Sequence, residues 1–139
     1  MTTAGICLAF ALGGSVSPVF IEGQAFTLAW THSIEKVRWE EDYRIVKSGD
    51  DRSASLVGVF ARVRGSGAGM EPGTGARWRD GWFEYPTTGH ALTALHLSRS
   101  EFVPDYELCL TDGCRPMSQW LPSDGGVTVL TACERDDPG

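Results

Sequence analysis

A chain of 139 residues with 42% apolar and 22% charged side chains has the size and balance of one folded domain. That composition excludes disordered, collagenous and coiled-coil chains. Lys and Arg number 12 against 18 Asp and Glu, and the net charge of −6 repels phosphate backbones, so no nucleic-acid partner is expected.

The longest strongly apolar run, residues 6–12, falls well short of the roughly 20 residues a spanning helix needs, so the chain is not expected to span a membrane. It is also short for a secretory leader, and no Lys or Arg precedes Lys36. The run therefore reads as a buried first strand, with periplasm and cytoplasm both open as compartments. Next, Phe26, Leu28 and Trp30 alternate with Thr27, Ala29 and Thr31, the period of a strand with one face buried. Val37, Trp39, Tyr43 and Ile45 then share one face while Arg38, Glu40, Asp42 and Arg44 share the other. Glu41 is the one acidic residue on the apolar side. A helix over 33–46 is the rival reading, but its apolar residues form no stripe, so a strand from Val37 onward is preferred.

Val57, Val59, Ala61 and Val63 alternate with Leu56, Gly58, Phe60 and Arg62. This segment is apolar on both faces and reads as a central strand. Further strands are expected at 82–85, 92–97, 106–111, 117–121 and 127–133, with a loop tip at 50–53 and a frayed acidic tail at 134–139. The 17 Gly and 7 Pro recur often enough to leave little length for helices. Eight or nine short antiparallel strands in one domain, 1–139, predict an all-β sandwich or a barrel-like rolled sheet with the five tryptophans available to its core.

The even set Cys7, Cys109, Cys114 and Cys133 suits an oxidising compartment. Asp112-Gly113 is a hairpin-turn dipeptide, and a four-residue loop places Cys109 opposite Cys114, within disulfide reach. A two-residue loop at Asp112-Gly113 pairs Thr111 with Cys114 instead, so a bond and two free thiols both remain open.

The densest polar stretch holds His32, Glu35, Glu40, Glu41 and Asp42 within eleven residues. Alternation carries His32 onto the apolar face, where Glu41 of the next strand can stand beside it. One reading is a ligand-gripping or general-base dyad. The preferred one is a satisfied polar pair bracing a hairpin, because no third catalytic group is identifiable. His32 and Glu35 with Glu41 lack the four-ligand pattern of a zinc site, and Glu40-Glu41-Asp42 lacks the alternating oxygens of a calcium loop, so no metal is expected. Gly65-x-Gly67-x-Gly69 lacks dinucleotide-loop spacing, Pro72 follows where a helix should start, and no Gly-Lys-Ser/Thr occurs; no cofactor is expected. The glycines read as a wide loop, with an anion nest beside Arg64 as the alternative. Ser66 has no nucleophile-elbow context. Trp78, Asp80, Gly81 and Trp82 read as a turn with aromatic anchors that, if exposed, suit stacking a sugar or a partner, though the preferred reading is that such tryptophans cap a sandwich core.

Trp30-Thr-His-Ser-Ile-Glu-Lys-x-x-Trp-Glu-Glu-Asp-Tyr43, Gly65-Ser-Gly-Ala-Gly-Met-Glu-Pro72, Asp80-Gly-Trp82 and Cys109-Leu-x-Asp-Gly-x-Arg-Pro116 resemble the DUF1850 family of small bacterial proteins, over about residues 7–116. That family has no established activity. Its genes are often found beside TAXI-type TRAP transporters, which take up solutes with a periplasmic binding protein, so the resemblance implies an accessory or solute-binding role there.

The first expectation is thus a non-enzymatic module that binds a small acidic solute or a transporter component. Its candidate contacts are His32, Glu35, Glu41, Arg64, Gly65, Gly67, Gly69, Met70 and Glu71, on a hairpin bend and a glycine loop at one rim. Arg64 would grip a carboxylate as a fork. The alternatives are a small hydrolase or isomerase using His32 with Glu41 or Glu35, and a purely structural interaction domain.

Overall fold

Successive side chains on a strand point to opposite faces, so the alternations above fix which residues of each strand can reach a common core. In the computed structural model, which describes residues 2–31, 36–47, 54–65, 75–87 and 89–136, the chain is all-β. The strands are β1 (Thr2–Phe10), β2 (Val19–Glu22), β3 (Ala25–Thr31), β4 (Arg38–Lys47), β5 (Ala54–Arg64) and β6 (Arg77–Arg79). They continue with β7 (Trp82–Pro86), β8 (Ala91–Leu92), β9 (Ala94–Ser98), β10 (Glu107–Leu110), β11 (Gly113–Pro116) and β12 (Val127–Asp136). A four-stranded sheet has the order β2-β1-β12-β9, and a larger one the order β11-β10-β3-β4-β5-β7-β6, with β8 paired to β5. All pairings are antiparallel.

Both edge strands of the small sheet run on into strands of the large one. Between β2 and β3 the Gly23 amide donates to Ala4 of β1, while the Gln24 carbonyl accepts from Ile45 of β4. This corner is thereby bonded to both sheets. Thr93 alone separates β8 from β9, which splits the single strand expected at 92–97 into a piece for each sheet. The result is a sandwich rolled toward a barrel.

The core between the sheets is mostly aliphatic, with Ile6, Leu8, Leu28, Leu56, Leu108, Met117 and Leu130 all at most 2% exposed, and it includes the stacked pair Phe26 and Tyr43. The tryptophans, expected inside, lie at its perimeter instead; Trp30 and Trp120 pack partly buried against it and Trp78 is 55% exposed. Four expectations change in detail. Leu12 is exposed beyond the end of β1. Met117–Gln119 forms a 3-10 turn, not a strand, because Met117 and Leu121 bury together one turn apart and the Leu121 amide donates to the Met117 carbonyl. A register shift between Asp42 and Tyr43 sets Val59 apart as a bulge in β5, so Val57 and Val63 do not share a face. The tail expected from Glu134 is strand through Asp136, paired to Ala4, Thr3 and Thr2.

Two disulfides close the fold, Cys7–Cys133 and Cys109–Cys114. The first spans 126 residues and joins β1 to β12; in the chain-entropy account such a link is worth about 5 kcal/mol. The second spans only 5 residues, for which the same account gives about 2 kcal/mol. The hairpin turn falls one residue earlier than the dipeptide suggested, at Thr111-Asp112, with Leu110 paired to Gly113 and Cys109 opposite Cys114.

A buried ion pair ties the small sheet to the β10 end of the large one. Arg99, just after β9, is 3% exposed. Its Nε and Nη2 donate to the two Asp105 oxygens at 3.0 and 2.9 Å, and its Nη1 donates to Thr128 of β12 at 3.2 Å. Asp105 in turn accepts from the amides of Tyr106 and Ser118. Removing one partner strands the other's charge in low dielectric. Asp105→Ala is therefore expected to lower stability by about 3 kcal/mol in denaturant titration.

Candidate functional site

The outer face of the large sheet carries the charged residues of β4 and their neighbours in register. Glu40 lies opposite Arg62 of β5, Arg62 opposite Glu84 of β7, and Glu84 opposite Arg77 of β6. Signs alternate along this row, the arrangement that stabilises cross-strand pairs. Arg62 Nε donates to Glu40 Oε1 at 2.6 Å, and its Nη1 and Nη2 reach the Asp42 oxygens at 3.0 and 3.2 Å. Asp42 also accepts from the Thr27 hydroxyl at 2.6 Å.

On the other side of Glu40 the row meets Ala29 of β3 and then Glu107 of β10. Ala29 contributes no charge, and Arg38 closes the gap. Its Nε donates to Glu40 Oε2 at 2.7 Å and its Nη1 to Glu107 Oε2 at 2.6 Å. Its Nη2 stands 4.0 Å from both sulfurs of the Cys109–Cys114 bridge. Burial, the largest single effect on Arg38, opposes its charge, but Glu40 and Glu107 together outweigh it and hold the guanidinium above the ordinary arginine range. Burial likewise opposes the Arg62 charge and is outweighed by Asp42 and Glu40. Both stay charged at any accessible pH.

Glu41 takes the opposite face of β4, as its phase predicted. It is paired with Leu28 and Ala61 and is half-buried. The Tyr43 hydroxyl donates to Glu41 Oε1 at 2.9 Å. Around it lie stacked aromatics: Trp30 on Trp39 with centroids 6.1 Å apart, and Tyr106 tilted against Trp30 at 6.2 Å. Burial, then the Glu41 charge, push the Tyr43 phenol far above its ordinary range, and the same two causes raise Tyr85. Tyr106 is raised by burial, then by Asp105 and Glu41. Glu41 is thus braced by a phenol that remains a donor. His32 and Glu35, its expected companions, lie outside the described residues, as do Gly67, Gly69, Met70 and Glu71.

Arg64 and Gly65, the described ends of the glycine-loop reading, sit against the β6–β7 hairpin. Asp80 and Gly81 both take positive φ, 52° and 85°, which makes this two-residue turn of the twist-matched kind. With no side chain on Gly81, the Arg64 guanidinium lies over it; a Cβ there would meet Arg64 Nη1 at 3.1 Å. Arg64 donates to the Asp80 carbonyl at 3.3 Å and lies 5.4 Å from the Trp82 ring centroid, while the Gly65 amide donates to the Gly81 carbonyl. Arg64 is therefore held in place by the hairpin. Across the sheet, Arg79, Trp82 and Arg64 stand opposite one another in consecutive strands. Arg77 and Arg79 are exposed, with Arg77 Nε 3.6 Å from Glu84 Oε1 and Arg79 Nε 4.0 Å from Asp80 Oδ2.

One concave feature had no counterpart in the sequence reading. Arg99, Glu101, Phe102, Asp105, Ser118 and Asp124 line a cleft of about 630 Å³ beside the buried ion pair. Turn-forming residues at 100–104 mark a loop, but nothing local in the sequence pairs Arg99 with Asp105. Among the described residues no three His, Cys, Asp or Glu side chains group as metal ligands, and no helix is long and apolar enough to cross a membrane.

The chain has three tyrosines, and all three carry raised phenols. A raised folded-state pKa contributes stability that is full below the unfolded value near 10 and is lost as pH climbs toward the folded values. Ultraviolet titration is expected to find less phenolate at pH 10 in the folded protein than in the unfolded chain, with loss of stability as pH rises above it. In Glu41→Gln the Tyr43 phenol is expected to ionise at lower pH; an unchanged titration would remove Glu41 from this cluster.

No curated protein and no solved structure shows significant similarity to the chain. A family model described as "Domain of unknown function (DUF1850)" matches residues 26–117, from β3 through β11. The charged row, the Cys109–Cys114 bridge and the β6–β7 hairpin all fall within the matched residues. The chain belongs to the DUF1850 family.

Proposed function

We propose that the chain is a non-enzymatic binding module serving a TAXI-type TRAP transporter, and that it holds an acidic solute or an acidic segment of a transporter component on the β6–β7 hairpin. The observation that carries this reading is the row Arg79–Trp82–Arg64 with Arg77 beside it, a basic and aromatic corner on a chain of net charge −6. Arg79 and Arg64 stand two strand spacings apart, roughly 10 Å, with the indole between them. That span suits a dicarboxylate or two side chains of an acidic segment, one group at each guanidinium. Trp82 offers the apolar floor. The Arg64 anchoring described above supports the role, because an arginine already fixed over a ring loses little entropy on binding.

Two features favour binding over catalysis. Glu41 is engaged by Tyr43; Glu40, Asp42 and Glu107 of the outer face are engaged by Arg38 and Arg62, and Glu84 by Arg77. The transporter association rests on family membership and its expected gene neighbourhood.

The test pairs calorimetry against small mono- and dicarboxylates with capture of the purified solute-binding protein of a neighbouring transporter. Wild type is expected to bind one of these, and Arg64→Glu with Arg79→Glu to weaken that binding at least about tenfold, the scale of losing one charged contact. The folding transition is expected to move by less than about 1 kcal/mol, since both side chains lie at the surface. No binding by wild type, or binding indifferent to both reversals, would overturn the reading.

A further inference from the structure

We propose that the Cys109–Cys114 bridge is a thiol–disulfide exchange site, opened by an external dithiol and served by Arg38 as the cation for the departing thiolate. The inference is independent of the hairpin reading. It starts from the contrast between the two disulfides. Cys7–Cys133 joins β1 and β12, each hydrogen-bonded to a neighbouring strand on both sides, and closes nearly the whole chain. Cys109–Cys114 joins β10 to β11, the edge strand of the large sheet, across a two-residue turn. The fold gains little from so short a loop, and Cys114 is exposed.

The second observation is the division of the Arg38 guanidinium. Nε is taken by Glu40 and Nη1 by Glu107, which fixes the group in place; Nη2 is left to the sulfurs, 4.0 Å from each. A cation beside a sulfur favours its thiolate, the form that leaves and attacks in exchange. Arg38 is thus a positioning residue for charge, held ready by carboxylates on two different strands.

The exchange balances with a dithiol as the only co-reactant. A thiolate of the dithiol approaches Cys114 Sγ from the open edge of β11 and forms a mixed disulfide. The Cys109–Cys114 bond breaks, and its electron pair departs with Cys109 Sγ as a thiolate beside Arg38 Nη2. The second thiol of the dithiol loses its proton and attacks the mixed disulfide on its own first sulfur, releasing Cys114. The dithiol ends as a disulfide, the protein gains two electrons, and the two protons pass from the dithiol thiols to solvent or to the released cysteines.

The experiment is timed reduction of the folded chain with dithiothreitol, acid quench, alkylation and peptide mass spectrometry, with glutathione disulfide added to Cys109→Ser as a second arm. In wild type, Cys109–Cys114 is expected to open at least about tenfold faster than Cys7–Cys133, while the protein stays folded. In Cys109→Ser, whose Cys114 is left a free thiol, glutathione disulfide is expected to exchange onto Cys114 and release one glutathione. Arg38→Ala is expected to slow opening about three- to tenfold, the effect of raising the leaving thiol's pKa by roughly one to two units, and Arg38→Lys to fall between. Opening of Cys7–Cys133 first or at the same rate, or an Arg38→Lys rate at or below that of a folded Arg38→Ala, would overturn the proposal. So would an Arg38→Ala rate within twofold of wild type. Should Arg38→Ala not fold, the wild-type order of opening decides together with Arg38→Lys, which is expected to open more slowly than wild type and whose unchanged rate would overturn the proposal.

Discussion

One guanidinium joins the two halves of the charged face. Glu40 and Glu107 stand on either side of Ala29, which has no group to connect them, and Arg38 bonds both at under 2.8 Å. Without it the row Arg77–Glu84–Arg62–Glu40 stops at β4, and Glu107 faces Glu40 across a neutral residue. With it, the charges of β5, β4 and β10 form one network that ends on a pair of sulfurs. Isolated surface pairs contribute little, but pairs sharing forked arginines on a sheet are held in one geometry by the register beneath them.

That register depends on the strict alternation of β4. Its even positions, Arg38, Glu40 and Asp42, supply the network, while Trp39, Glu41 and Tyr43 turn inward to an aromatic rim around an aliphatic core. A slip of one residue would exchange the two sets and bury three charges. The bulge at Val59 shows how the neighbouring strand keeps step: past it, Ala61 and Val63 face inward opposite Glu41 and Trp39, and Arg62 faces outward to Glu40. The corners at Gly23-Gln24 and Thr93 then roll both edges of the small sheet into the large one, so the charged face of the large sheet points away from the core.

The inward Glu41 and the outward Arg38, Glu40 and Asp42 were legible in the sequence because a period of two needs no knowledge of neighbours. The same holds for the all-β class and for the turn at Asp80-Gly81. What depends on strand order was not legible. Nothing local says that β10 lies beside β3, so Glu107 has no sequence relation to Arg38, nor Asp105 to the buried Arg99. Met117 and Leu121 were ambiguous, since spacing of four suits a strand face and a helical turn alike. The bulge was hidden because Val57, Val59 and Phe60 are apolar whichever way they point. The tryptophans were expected in the core, but the space between the sheets is filled by Leu and Ile with Phe26, Tyr43 and Met117, while Trp30 and Trp120 pack partly buried against it. The proposed meeting of His32 with Gly67 falls outside the described residues.

The central claim is that Arg38 couples β4 to β10 through Glu107. A double-mutant cycle of Arg38→Met and Glu107→Gln, read by denaturant unfolding at low salt, tests it most directly. The account expects a coupling of about 1 kcal/mol or more, diminished by added salt, as for a charge-assisted pair within a network. A coupling indistinguishable from zero would mean that the two residues are neighbours without an energetic link, and the charged face would be two separate clusters.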